Sequence, residues 1–109
     1  MTLQEVANIV SSIGLPFAYH HFPENTGQQP PFICYYYPRS NDMIADDTNY
    51  QKINELIIEL YTDNKDFTLE NTVESVLKAH DFVYSREETY IESEKMYMVV
   101  FYMGVIINA

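Results

Sequence analysis

Four side chains in this sequence could support nucleophilic or metal chemistry: Cys34, His20, His21 and His80. A thiol becomes a useful nucleophile when an imidazole stands beside it as base. Cys34, however, lies in the apolar and aromatic stretch from Phe32 to Tyr37, where a free cysteine behaves as a small buried hydrophobe. His20 and His21 are adjacent in a segment that reads as a strand, so their rings are expected on opposite faces. They could share one metal ion only if that strand were distorted, and no Cys or carboxylate stands nearby at the spacing of a zinc site. His80 falls at the end of an expected helix, where a cation complements the helix dipole. No metal and no cofactor is expected from these residues.

The carboxylates give two further clusters. Asp42, Asp46 and Asp47 suggest a cation loop at first sight, but the run lacks the glycine and the terminal glutamate of an EF-hand loop. Glu87, Glu88, Glu92 and Glu94 flank an expected hairpin turn. Paired carboxylates can do acid–base work, but nothing at a solvated hairpin tip would set one pKa apart from another. The three glycines, Gly14, Gly27 and Gly104, form no phosphate-cradling loop. No constellation points to catalysis, and the chain is not expected to be an enzyme.

The elements that must position these residues follow from periodicity. Leu3, Val6, Ile9, Val10 and Ile13 share one face of a first helix. Thr2 and Glu5 have the spacing of a capping box, and Gly14 and Pro16 end the helix. Residues 17–22 and 32–37 read as strands around a Pro-, Gln- and Asn-rich loop, and residues 39–49 read as an acidic loop. Residues 53–61 fit both a helix and a strand. A second helix, at about residues 68–80, is capped by Asp66 or Thr68; its apolar stripe is Leu69, Val73, Val76 and Leu77, with Glu70, Glu74 and Lys78 outward. A hairpin closes the chain, from residues 82–91 and 95–107 around Glu92 and Ser93. With residues 53–61 taken as a strand, the order is α-β-β-β-α-β-β. The expectation is one α+β domain over residues 1–109, a mostly antiparallel sheet with two helices packed against it.

Composition narrows the partners. The net charge is −10, and fourteen of the sixteen acids fall between Asp42 and Glu94. No basic patch exists to neutralise phosphates, so neither nucleic acid nor an anionic membrane surface is an expected ligand. One cysteine excludes an internal disulfide. No Lys or Arg precedes an N-terminal apolar run, so a secretory signal is not expected. The longest apolar run, residues 96–107, is too short to span a bilayer. That run is apolar on both faces, more than a 109-residue domain readily covers alone, and ten tyrosines suit half-wet interfaces. Self-association through Tyr97, Val99, Phe101 and Met103, or through the alternate face of Met98, Val100 and Tyr102, is the reading these patterns give.

The block Leu60-Tyr61-Thr62-Asp63-Asn64-Lys65-Asp66, the helix from Leu69-Glu70 to Leu77, and the run from Tyr84 through Thr89-Tyr90-Ile91-Glu92-Ser93-Glu94-Lys95 resemble small proteins of the phage and prophage head–tail neck. The closest likeness is to tail-terminator, or tail-completion, proteins of long-tailed phages infecting Gram-positive bacteria. It covers the second half of the chain and, in layout, the first helix and strands. It also selects the strand for residues 53–61. The resemblance implies a hexameric ring in the virion that caps the tail-tube protein, meets the head-completion or connector protein, and lets DNA pass without binding it specifically. It leaves Asp42, Asp46, Asp47, Glu92 and Glu94 as candidates for partner contacts or pore lining. A stopper protein of the same neck is one alternative. Another, of a different class, is an acidic DNA mimic that inhibits a basic partner through Glu70, Glu74 and the hairpin acids.

Overall fold

The computed structural model describes residues 1–24, 26–40, 43–45, 48–51 and 53–107, with only the backbone of 43–45 and 48–51. Helix α1 (Leu3–Ser11) starts where Thr2 Oγ1 accepts the Glu5 N–H at 3.1 Å. It buries Val6, Ile9 and Val10, a stripe at the spacing of one helical face. Leu3, expected on that stripe, is instead exposed. Gly14 takes φ 91°, the left-handed conformation that suits a chain leaving a helix.

Strands β1 (Phe17–Tyr19), β2 (Phe32–Tyr36), β5 (Ile53–Thr62), β6 (Tyr84–Ile91) and β7 (Met96–Ile106) form one sheet in the order β1-β2-β5-β7-β6. Only the β1–β2 pair is parallel. Strands β3 (Met43–Ala45) and β4 (Thr48–Gln51) make a separate antiparallel hairpin within the region expected as a loop. Helix α2 (Phe67–Ala79) is capped by Asp66, whose carboxylate accepts the Leu69 N–H at 2.9 Å. The domain is α+β with two helices and a mostly antiparallel sheet, as the pattern implied.

Alternation along the strands divides the sheet into two faces. On one, Ile33 and Tyr35 of β2, Leu56, Ile58 and Leu60 of β5, and Val99, Phe101, Met103 and Val105 of β7 are buried together with Val6, Val10, Val73 and Leu77 of the helices. This placement corrects the expected interface. Val99, Phe101 and Met103 are 1%, 0% and 5% exposed within the single chain, so no second copy can reach them. Tyr97, at the end of the same row, is half-buried and stacks edge-on with Tyr90. Both faces of β7 are apolar, and the helices took this one.

A second correction concerns Glu70. Expected to point outward, it is 1% exposed. Lys65 Nζ and Arg86 Nη2 each donate to its carboxylate at 2.5 Å. Arg86 also reaches Glu74 at 2.9 Å, and Lys65 contacts Glu88. A buried carboxylate is tolerated when cations and hydrogen bonds replace its lost water, as both do here.

Candidate interaction face

The other face of the sheet carries no helix among the described residues. Strand registers set its side chains in three rows. Cys34, Glu59, Val100 and Glu87 lie side by side across β2, β5, β7 and β6. Tyr36, Ile57, Tyr102 and Ser85 form the row on one side of it, and Phe32, Tyr61, Met98 and Thr89 the row on the other. Ile57, Met98, Tyr36 and Tyr61 are only half-buried, and Tyr102 is 38% exposed.

Tyrosine hydroxyls organise this surface around glutamates. Tyr61 Oη donates to Glu59 Oε1 at 2.9 Å, and Tyr36 Oη donates to Glu59 Oε2 at 3.3 Å. Tyr102 Oη donates to Glu87 Oε2 at 3.1 Å, and Arg39 pairs with Glu55 further along β5. The Phe32 and Tyr61 rings stack at 4.8 Å with an interplanar angle of 21°. Burial, then the negative charge of Glu59, raises the phenol pKa of both Tyr36 and Tyr61. For Tyr102 burial again leads, followed by its hydrogen bond to Glu87. The face is therefore an array of rings and apolar side chains with Glu59 and Glu87 set in its middle row and Glu55 further along β5. Such an array can bind a surface.

Cys34 lies in the middle row, 4% exposed. Burial, then Glu59, pushes its thiol up to about 11, which keeps it protonated and unreactive at neutral pH. On the helical side, burial pushes Tyr37 up to about 12, and burial with the Glu74 hydrogen bond does the same for Tyr84. The buried Tyr37 Oη has no hydrogen-bond partner among the described residues. The sign of the pH effect follows. An unfolded thiol or phenol ionises near its ordinary value, 9.0 or 10.0, while the folded groups stay protonated. Their stabilising contribution is complete below about pH 9 and is lost as pH rises through 11 and 12. We expect urea midpoints that hold from pH 7 to 8.5 and then fall steadily above about pH 9.5. The native chain at pH 8 should also react with a disulfide reagent at least about a hundredfold more slowly than the urea-unfolded chain.

The other expected site residues are dispersed. Asp42, Asp46 and Asp47 lie outside the described residues. Glu92 and Glu94 sit exposed in the β6–β7 turn, which is closed by Glu94 N–H to Ile91 O at 3.2 Å and Lys95 N–H to Glu92 O at 3.3 Å. His80 caps α2, far along the chain from the other two histidines. His20 and His21, expected to point apart, are brought together. Strand β1 stops at Tyr19, His20 turns left-handed at φ 67°, and the two Nδ1 atoms stand 2.9 Å apart. A left-handed histidine leaves no trace in sequence pattern, so only the fold could reveal it.

No group of three or more His, Cys, Asp or Glu side chains is gathered for a metal among the described residues. No described helix is long and apolar enough to cross a membrane. Compared with known proteins, the chain matches no family model and no curated protein.

Proposed function

We propose that this chain is a ring-forming structural protein of the head–tail neck of a long-tailed phage or prophage. In this role it acts as a tail terminator that caps the tail tube and receives the head connector. The observation that supports the reading is the helix-free sheet face, where Phe32, Tyr36, Ile57, Tyr61, Met98 and Tyr102 remain partly open to solvent. An apolar and tyrosine-rich surface of this kind is characteristic of protein interfaces. The likeness of residues 60–107 to tail terminators supplies the particular kind of assembly.

Charge favours a ring over a two-fold dimer. Glu55, Glu59 and Glu87 all lie on the open face, with Arg39 as the cation paired there. Two copies meeting face to face would bring like charges together, which costs several kcal/mol by the usual penalty for mismatched interfaces, roughly 2–5. A heterologous contact, in which the neighbour offers a different patch, avoids this and gives a ring where the rotation between neighbours closes. The acidic-mimic reading loses force because two of its carboxylates are occupied. Glu70 is buried between Lys65 and Arg86, and Glu74 is held by Arg86 and Tyr84.

The functional test uses a polymerising tail-tube protein. Added in amounts far below the tube subunit, the chain should stop elongation, shorten the tubes and appear as an annulus at one end by electron microscopy. Tubes of unchanged length, with the chain left in the supernatant, would contradict the proposal.

A further inference from the structure

Beyond the end of β1, one backbone angle decides what two adjacent histidines can do. In a continued strand their rings would diverge. With His20 at φ 67°, they converge. The turn is pinned by His20 N–H donating to the Tyr35 carbonyl at 2.7 Å and His21 N–H donating to the Tyr19 carbonyl at 2.8 Å. The imidazoles meet edge to face with centroids 5.1 Å apart, and the His20 ring also rests against Tyr36 at 5.1 Å. Left-handed backbone is uncommon for a residue other than glycine, and it gathers at sites where a side chain must be aimed.

We propose that His20 and His21 form a chelating site for a divalent transition-metal ion, with the two Nδ1 atoms as adjacent ligands. The geometry sets the class of ion. With metal–nitrogen bonds of about 2.0–2.1 Å, two nitrogens 2.9 Å apart subtend about 90° at the metal. That is the angle between neighbouring positions of square-planar or octahedral nickel(II) and copper(II), and it is narrower than the tetrahedral angle zinc adopts. In the free pair, one Nδ1 carries the hydrogen that the other accepts. With metal bound, both rings would carry their hydrogen on Nε2 and present both Nδ1 lone pairs to the ion.

The surroundings fit an open two-ligand site. Both histidines are exposed, at the edge of a hollow of about 360 Å³ whose lining includes Phe22, Phe32, Tyr61, Glu94 and the buried Cys34. No third ligand-type side chain completes a cluster among the described residues, so water fills the remaining positions. Because the second ring binds at high effective concentration once the first is attached, each ring multiplies the affinity of the other.

The test is a calorimetric titration of the full chain, prepared without a polyhistidine tag, with nickel(II) alone. One ion per chain should bind in the micromolar range. His20→Asn, which keeps a residue tolerant of the left-handed backbone, and His21→Gln should each weaken binding about a hundredfold. Circular dichroism of both variants should match the parent, and His80→Gln should bind as the parent does. Parent and variants within threefold of one another, a parent that binds no nickel in the micromolar range, or loss of binding in His80→Gln alone would each overturn the assignment.

Discussion

Replacing Phe101 by alanine is expected to lower folding stability by roughly 3–5 kcal/mol, the usual range for deleting a fully buried aromatic ring. Phe101 is 0% exposed at the centre of β7. It packs edge-on against Tyr84 at 5.8 Å and beneath the Arg86 guanidinium at 5.9 Å. Leu56, Ile58, Val73 and Leu77 belong to the same core. No water-sized substitute restores those contacts, so the loss combines transfer free energy with a cavity. A domain of this size is stable by about 5–15 kcal/mol in total, so the variant should stand close to unfolding. The measurement is a urea titration at several protein concentrations. A large drop in midpoint that does not depend on concentration is the signature of a core residue. A small drop that deepens on dilution would be the signature of a subunit interface, and would return Phe101 to the role its sequence position first suggested.

Ile57→Lys should do the reverse. Ile57 sits half-buried on the open face between Tyr36 and Tyr102, with Glu55 and Glu59 at the flanking positions of the same face. In the isolated chain the lysine stem can lie along the tyrosine rings while its ammonium reaches a carboxylate. The change in folding stability should therefore stay within about 0.5 kcal/mol, as for surface substitutions generally. In an assembled ring the same ammonium is covered. Burying a charge without a fixed partner is expensive, and a neighbour chosen to complement three glutamates repels it further. Association should weaken at least about a hundredfold, equivalent to about 2.7 kcal/mol. Sedimentation velocity and a urea titration on the same preparation separate the two effects.

The contrast between Phe101 and Ile57 also marks where sequence pattern runs out. Alternation locates β7, but Met98, Val100 and Tyr102 are as apolar as Val99, Phe101 and Met103. Residue type alone does not say which set meets the helices. In β5, Leu56, Ile58 and Leu60 alternate cleanly with Glu55 and Glu59; Ile57 on the far face supplies the extra apolar residue that imitates a helix. The ambiguity reflects a strand with apolar residues on both faces. Glu70 was legible in principle, since it stands three and seven residues before Val73 and Leu77 on one helical stripe. Its burial rests on two cations, Lys65 five residues before it and Arg86 sixteen residues after it on β6. The β3–β4 hairpin has strands of only three and four residues, and the histidine turn depends on the Tyr35 carbonyl, which only the folded sheet brings into reach.

The central claim is that the helix-free face of the sheet carries self-association. Light scattering of the parent chain across a concentration series, alone and with tail-tube protein, tests it most directly, with Ile57→Lys measured alongside. The expected result is growth from 12.8 kDa toward six copies, about 77 kDa, with annular particles in the microscope, while the variant stays at the mass of one chain. A parent fixed at 12.8 kDa at every concentration, with tail-tube protein present or absent, would contradict it.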